Sequence, residues 1–214
     1  MPNYNFWNER WLNNQIGFHQ SAVHESLVEF IDCFKGHKKV LIPLCGKSLD
    51  MLFLREHGLH VYGVEFSEVA IIDFIEENNL KMSQRRVGEF TVYSGENIDI
   101  YQGDFFLLPS SFFSEITACY DRASMVAFNR DERIKYAHVL CELALDLKTL
   151  LAPIFNCGEV ETGPPYSVVE QEIRDLYGNF FELTKLKTKS FPLRDALKER
   201  GAMFEEEITW FFSR

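Results

Sequence analysis

The chain has 214 residues, of which 46% are hydrophobic and 25% are charged, proportions that are ordinary for a globular protein. Its formal net charge of -10 argues against a polynucleotide substrate and a polybasic membrane anchor, because both normally need a basic surface. No apolar run approaches the ~18 residues that span a bilayer. The N-terminus lacks the basic start and the apolar stretch of a signal peptide. We therefore expect one cytoplasmic domain over residues 1–214, with a monomer as the default state.

The five cysteines predict neither a disulfide framework nor a zinc site, because their number is odd and no Cys-x-x-Cys pair occurs. Reduced thiols fit the expected cytosolic compartment. The histidines are scattered, and Gly58 lies between His57 and His60, so we expect no shared helical ligand face. No metal site is predicted.

The first half of the chain alternates between strand and helix patterns. Residues 22–35 carry an apolar stripe at helical spacing, which predicts a helix. A short apolar run at 39–44 predicts a buried parallel strand, and Ser48 is expected to cap the helix that follows. A second strand at 60–65 and a helix that begins at Ser67 repeat the pattern. This succession indicates βαβ units and a parallel sheet.

The second half predicts further strands and helices. Residues 90–101 have the pattern of two short strands, and residues 116–120 that of another. Two pairs have the spacing of a helix capping box: Asn129 with Glu132, and Ser167 with Glu170.

The last predicted strands lie at the C-terminal end of the sequence. Residues 149–156 form an apolar run that contains Pro153, and we expect a bulge there because proline cannot donate to a strand ladder. Residues 181–186 and 207–212 alternate between apolar and polar side chains. We expect these two segments to pair antiparallel at an edge of the sheet.

The turn Leu44-Cys45-Gly46-Lys47, after the first strand, is a candidate ligand loop. Gly46-Lys47-Ser48 resembles the end of a P-loop, but that motif needs a glycine at position 41, where the chain has leucine. The turn also lacks the three glycines of a dinucleotide fingerprint. Ligands of open α/β sheets bind at the carboxyl ends of the strands. The turn therefore predicts a ligand that carries no phosphate.

Acidic residues follow two of the predicted strands. Glu65 stands where an acidic residue typically accepts hydrogen bonds from ribose hydroxyls, the alternative being an ordinary surface carboxylate. Asp104, after a later strand, is a candidate for the adenine amino group, with Phe105 or Phe106 against the ring. The alternative there is a plain turn with two core aromatic residues.

Charged residues also follow the strand at 116–120. Because neighbours in an extended chain point to opposite sides, we expect one of Asp121 and Arg122 to face the pocket and the other to make structural contacts. A guanidinium group suits a carboxylate or a developing anion.

Near the N-terminus, Trp7 and Trp11 are spaced as on one face of a helix. This spacing favours packing on the core, and a lid over a flat ligand is the alternative.

Seven segments of the sequence, taken in order, make the chain resemble the thiopurine S-methyltransferase family. They run from near the N-terminus to about residue 170, and the C-terminal part carries less of the resemblance. The matching segments are Trp7-x-x-x-Trp11, Ile16-Gly17-Phe18-His19-Gln20, Pro43-Leu44-Cys45-Gly46-Lys47-Ser48, Gly63-Val64-Glu65-x-Ser67-Glu68, Gly103-Asp104-Phe105-Phe106, Asp121-Arg122-Ala123 and Gly163-Pro164-Pro165-Tyr166-Ser167-Val168.

The resemblance implies a Rossmann-like α/β fold with a seven-stranded methyltransferase sheet, helices on both faces and an N-terminal helical cover over about residues 1–35. It implies S-adenosylmethionine as the cofactor and S-adenosylhomocysteine as its product. In this arrangement Glu65 would hold the ribose, Phe18 would reach the acceptor pocket, and Arg122 would line the cleft between cofactor and acceptor. The implied cofactor contacts are Trp11, Leu44, Glu65, Asp104, Phe105 and Arg122.

The implied reaction transfers the sulfonium methyl group to an aromatic or heterocyclic thiol, such as a thiopurine, by direct in-line displacement. Such thiols ionise readily, so catalysis would come from alignment and from exclusion of water. Arg122 would steady the anionic acceptor or the cofactor carboxylate. A substrate-side arginine could be either Arg194 or Arg200, and the choice between the two stays open. Two alternatives stay open: a methyltransferase for selenium or tellurium species, and a non-catalytic S-adenosylmethionine-binding protein.

Overall fold

One mixed β-sheet runs through residues 4–214, the part of the chain that the computed structural model describes. Residues 1–3 lie outside the described residues. The predicted cover and the N-terminal segment that was compared with a signal peptide both begin there. The strands are β1 (Lys39–Pro43), β2 (His60–Glu65), β3 (Ser83–Val87), β4 (Phe90–Gly95), β5 (Ile98–Gln102), β6 (Ala118–Tyr120), β7 (Thr149–Asn156), β8 (Glu182–Ser190) and β9 (Glu206–Ser213).

Within residues 4–214 the sheet has nine strands, in the order β3-β4-β5-β2-β1-β6-β7-β9-β8, so the predicted count of seven is wrong. The central strands β5, β2, β1, β6 and β7 are parallel, which confirms the α/β class. Antiparallel pairs extend both edges, and the predicted pairing of the two C-terminal strands is confirmed. The strand that the sequence analysis missed is β3, whose side chains are all exposed and show no apolar alternation.

Helices cover both faces of the sheet, as predicted. In β1 the side chains of Val40 and Ile42 pack into a core cluster with helices α2 to α4, and Leu41 packs into a second cluster with α5 and α6. The helices are α1 (Tyr4–Leu12), α2 (Glu25–Glu29), α3 (Asp50–Glu56), α4 (Glu68–Glu77), α5 (Arg130–His138), α6 (Glu170–Tyr177) and α7 (Asp195–Lys198).

The single helix predicted over residues 22–35 is wrong. The helix α2 ends at Glu29, Phe30 leaves the helical conformation (φ -112°, ψ 25°), and a short 3₁₀ segment, Ile31–Phe34, follows. The break still buries the predicted apolar side chains, because Leu27 and Phe34 both lie in the core. Tertiary packing has therefore overridden the local periodicity.

The two predicted capping boxes had different outcomes. The first is confirmed, because the Asn129 side chain accepts from the Glu132 N–H at 3.0 Å and the Glu132 carboxylate accepts from the Asn129 N–H at 3.1 Å. The second is wrong, because the Ser167 hydroxyl accepts from the Cys157 N–H at 2.9 Å and α6 begins only after Val169.

Ser48 does not cap its helix directly. The helix α3 begins at Asp50 after an N-cap at Leu49, and the Ser48 hydroxyl accepts from the Asp50 N–H at 3.3 Å.

The bulge expected at Pro153 is also wrong. β7 pairs with β9 in continuous register through Pro153 and Thr209, and the irregularity of this edge lies in β8 between Lys185 and Lys187. β6 pairs with β7 only as far as Leu151. One side of β7 at Pro153 therefore has no strand to which an N–H would donate, and this is where a sheet tolerates proline.

A buried ion pair joins α5 to α6 next to the pocket described below. The Arg133 guanidinium donates to the Glu172 carboxylate at 2.8 and 2.9 Å and to the Phe128 carbonyl at 2.8 Å, and both charged side chains are buried. Removing one partner of such a pair leaves a buried charge without compensation.

We predict that Arg133→Met lowers the free energy of unfolding by about 3–5 kcal/mol, measured by urea denaturation. The double variant Arg133→Met/Glu172→Leu should recover most of that loss, since apolar residues of similar size often replace a buried pair at little cost. A double variant as unstable as the single one would contradict this account of the pair.

Candidate active site

A cavity of about 450 Å³ opens at the carboxyl ends of β1, β2 and β6. Its wall combines the turn that follows β1, the strand ends, the helix α1 and the segment around Phe18. This is the position at which open α/β sheets bind their ligands. Aromatic side chains dominate the wall: Tyr4, Phe6, Trp7, Trp11, Phe18, Phe66, Tyr120, Phe128 and Phe155.

The turn after β1 has a strained and tightly packed backbone. Leu44 has a φ of 47° and Gly46 a φ of 52°, both in the left-handed region that only glycine adopts without cost. A Cβ at Gly46 would lie 2.9 Å from a ring carbon of Trp11. The turn therefore needs glycine at position 46 to let the cover approach it.

Glu65 joins the turns that follow the neighbouring strands β1 and β2. One carboxylate oxygen accepts from the Gly46 N–H at 2.8 Å and the other accepts from the Ser67 N–H at 2.7 Å. Burial raises the pKa of Glu65 above its usual range, and these backbone N–H groups act in the opposite direction. The side chain lines the cavity, so its remaining lone pairs are available to a ligand that carries hydroxyl groups.

Lys47 does not provide a phosphate site. Its ammonium group lies 2.7 Å from a Glu77 carboxylate oxygen and 3.2 Å from one of Asp73. Its charge is thus compensated by two carboxylates, which agrees with the absence of a P-loop.

Asp121 and Arg122 point to opposite sides of the chain, as predicted. The Asp121 carboxylate faces the core, where it accepts from the Tyr136 hydroxyl at 2.7 Å and the Ser124 N–H at 3.2 Å. Arg122 lines the cavity, with its Nε 3.4 Å from an Asp50 carboxylate oxygen.

The N-terminal cover is an aromatic cluster over the pocket. The Phe18 ring meets Trp7 and Trp11 edge to face, with centroid separations of 5.4 and 5.3 Å. All three side chains line the cavity. Trp11 is buried, as the core interpretation expects, and both tryptophans also line the cavity, so the lid alternative stays a prediction.

Three further contacts hold α1 in place. The Tyr4 hydroxyl donates to the Asp104 carboxylate, and the Tyr4 ring stacks on Phe66 with a centroid separation of 4.1 Å. The Ser67 hydroxyl donates to the Asn8 side-chain oxygen at 3.1 Å. The cover is thus attached to the same strand ends that carry the ligand-facing groups.

The structure does not bring Asp104 and Phe105 to the cavity wall. One Asp104 oxygen accepts from the Phe106 N–H at 2.9 Å as well as from Tyr4. The Phe105 ring is buried among core aromatic residues such as Phe113 and Tyr136. Their adenine contacts stay predictions, and Tyr4 and Phe66 are the aromatic residues at this end of the cavity.

Three residues without an assigned role also line the cavity: His19, Asp50 and Arg194. Burial lowers the pKa of His19, and the charges of Lys47 and Arg122 contribute in the same direction, so its imidazole is neutral near pH 7. Arg194 lies 2.8 Å from the Glu205 carboxylate. His19 was within a quoted motif, and Arg194 was one of the two C-terminal arginines left open. Asp50 had no sequence signal, because tertiary packing brings it here.

Arg200 is not a wall residue of this cavity. Its guanidinium donates to the Thr162 hydroxyl at 3.0 Å and to the Pro165 carbonyl at 2.9 Å. Between the two C-terminal arginines, Arg194 is therefore the one at the pocket.

Among residues 4–214, no group of His, Cys, Asp and Glu side chains is arranged to hold a metal ion. Burial raises the pKa of the Cys45 thiol well above its usual range, so it stays protonated.

No helix within residues 4–214 is long and apolar enough to cross a membrane.

Comparison with known proteins identifies the family. The family model described as thiopurine S-methyltransferase matches residues 2–211. A protein named thiopurine S-methyltransferase from Teredinibacter turnerae is 37% identical over 210 residues, which cover 98% of this chain and 96% of the relative. One of the same name from Shewanella sp. (strain W3-18-1) is 36% identical over 208 residues, 96% of this chain and 93% of that one.

Solved structures share the fold at low sequence identity. A SAM-dependent methyltransferase from Anabaena variabilis has a TM-score of 0.67 and 14% identity, with 100% of this chain and 96% of that one covered. Magnesium protoporphyrin IX methyltransferase from Synechocystis, solved with bound SAM, has a TM-score of 0.64 and 14% identity, covering 100% and 98%. With the family match, this chain belongs to the thiopurine S-methyltransferase family of S-adenosylmethionine-dependent methyltransferases.

Proposed function

We propose that this enzyme transfers the methyl group of S-adenosylmethionine to the sulfur of a flat aromatic or heterocyclic thiol. The observation that carries the proposal is the aromatic wall of the cavity, which lies beside a turn that suits an adenosyl group without phosphates. Aromatic side chains bind flat rings through stacked and edge-to-face contacts. A thiopurine is one such ring.

The residues of the turn fit the cofactor. Glu65 presents a buried carboxylate at the wall, and such a carboxylate pairs with ribose hydroxyls. Leu44 and Gly46 of the tight turn line the cavity, and the ammonium group of Lys47 is paired with two carboxylates. When bound, the cofactor supplies an activated sulfonium methyl group. The chain has to hold that group in line with the acceptor and to exclude water.

The cover and the far wall of the cavity form the acceptor side. Phe18 lies between the two tryptophans of the cover, and Phe128 and Phe155 lie in the remaining wall. The rings of these residues give the cavity an apolar lining. Arg122 lines the same cavity, so its positive charge would stabilise an anionic sulfur or a carboxylate.

The titratable groups of the pocket favour an acceptor that ionises by itself. Glu65 is held by two backbone N–H groups, Asp50 faces Arg122, and Cys45 stays protonated. Burial lowers the pKa of His19, so its imidazole is a weaker base than that of an ordinary histidine. An acidic thiol reaches the site as a thiolate, so the reaction needs alignment rather than a strong general base.

We predict that Glu65→Gln weakens binding of S-adenosylhomocysteine about tenfold to a hundredfold, the loss expected for a hydrogen bond to a charged group. The amide also places an N–H group against the Gly46 or Ser67 N–H. Isothermal titration calorimetry measures the effect. The control is Glu68→Gln, which alters a carboxylate that accepts from the Tyr93 hydroxyl at 2.9 Å away from the cavity wall. Equal affinities in wild type and Glu65→Gln would refute the ribose role.

The pH dependence of the rate should follow the acceptor. Burial lowers the pKa of His19, so its titration moves to more acidic pH and away from that of the acceptor thiol. We predict that turnover rises with pH through the thiol pKa of the acceptor, and that the midpoint shifts when a thiol of different acidity is used. A midpoint that stays constant across acceptors would instead indicate a general base of the protein.

The acceptor itself is tested with labelled S-adenosylmethionine and a panel that contains a thiopurine, a simple aromatic thiol, an aliphatic thiol, a selenol and a catechol. We expect product with the two aromatic thiols and little with the others. Product with the selenol alone would favour the selenium alternative. Binding of S-adenosylmethionine without any product would identify a non-catalytic binding protein.

A further inference from the structure

We infer that Asp50 is a positioning residue that holds Arg122 toward the amino-acid end of the cofactor. The inference rests on the proposed function, because it assigns a part of the same ligand to Arg122. Asp50 lies in the first turn of α3, next to the turn after β1, and its side chain is 2% exposed. Such a carboxylate is stable in its charged form only when it has partners.

Both oxygens of the Asp50 carboxylate have partners on different segments. One accepts from the His24 backbone N–H at 2.8 Å, and the other lies 3.4 Å from the Arg122 Nε. Asp50 therefore connects the base of the N-terminal cover to the group at the end of β6. The His24 N–H fixes the carboxylate, and the carboxylate in turn restricts the orientation of the guanidinium through the ion pair.

Arg122 retains donors for a ligand. Its Nε faces Asp50, and one Nη1 hydrogen points to the Phe18 carbonyl at 3.4 Å. Among the described residues, no hydrogen bond is made by Nη2. The side chain is 15% exposed and lines the cavity. A guanidinium group has five N–H donors in a planar fork, which matches a carboxylate in a bidentate arrangement.

The sheet order shows which end of the cofactor Arg122 meets. Glu65 ends β2, Leu44 follows β1, and Arg122 follows β6, and these strands are neighbours in the order β2-β1-β6. Two strand spacings separate the ends of β2 and β6, about 10 Å. If Glu65 holds the ribose and the sulfur passes over Leu44, the amino-acid chain ends on the side of Arg122. The anion on that chain is its carboxylate.

The test compares two ligands that differ only at this end. S-adenosylhomocysteine carries the amino-acid chain, and 5′-methylthioadenosine carries the same adenosine and thioether sulfur without it. Asp50→Asn keeps an oxygen for the His24 N–H but removes the charge that faces Arg122. We expect Asp50→Asn to raise the Kd of S-adenosylhomocysteine about tenfold, the usual scale for a charged hydrogen bond that loses its orientation. The Kd of 5′-methylthioadenosine should change less than twofold.

Two matched variants make the pattern specific. Glu65→Gln should weaken both ligands, because both carry the ribose. Asp73→Asn also removes a negative charge beside a basic residue of the wall, in this case Lys47. Lys47 keeps its 2.7 Å contact with Glu77. It should change neither Kd by more than twofold. Thermal denaturation of each variant reports on folding.

The outcomes separate the inference from the proposed function. Loss confined to S-adenosylhomocysteine in Asp50→Asn supports the inference. Equal loss for both ligands, or no loss for either, overturns it and leaves a structural role or none for Asp50. A wild-type protein that binds neither ligand would instead contradict the cofactor site itself, and with it the proposed function.

Discussion

The arrangement of the pocket depends on the two hydrogen bonds that the Glu65 carboxylate accepts from the Gly46 and Ser67 backbone N–H groups. A buried carboxylate without donors would be costly, and these two turns supply the donors. In return, the carboxylate fixes the relative position of the β1 turn and of the start of α4. The same side chain lines the cavity, so in the proposed function its remaining lone pairs accept from the ligand that the turns shape the site to hold.

The cover and the floor of the pocket are joined through the same strand ends. Trp11 lies against Gly46, Tyr4 donates to Asp104, and Arg122 approaches the Phe18 carbonyl at 3.4 Å. Each of these contacts links α1 or its following segment to a residue at the carboxyl end of a strand. The aromatic rings of the cover therefore form part of the cavity wall. In the proposed reaction, such an apolar wall would help to exclude water from the methyl transfer.

Much of the central sheet was accessible from the sequence, because β1 is a short apolar run and Glu65 is the last residue of β2. The count of strands was not, because β3 (Ser83–Val87) is wholly exposed and has no apolar pattern. The break of the predicted helix at Phe30 follows from tertiary packing that no local periodicity encodes. The contact of Tyr4 with Asp104 joins residues 100 positions apart. Likewise, Asp50 lines the pocket because α3 begins there, and no sequence motif marks this residue.

The central claim is that this pocket recognises an adenosyl group through its ribose and excludes phosphates. It is tested most directly by calorimetric titration of the wild-type protein with S-adenosylhomocysteine, its 2′,3′-dideoxy analogue and ATP. The account predicts binding of S-adenosylhomocysteine at one site, at least tenfold weaker binding of the dideoxy analogue, and no measurable binding of ATP. Equal affinity for the dideoxy analogue, or binding of ATP as tight as that of S-adenosylhomocysteine, would contradict it.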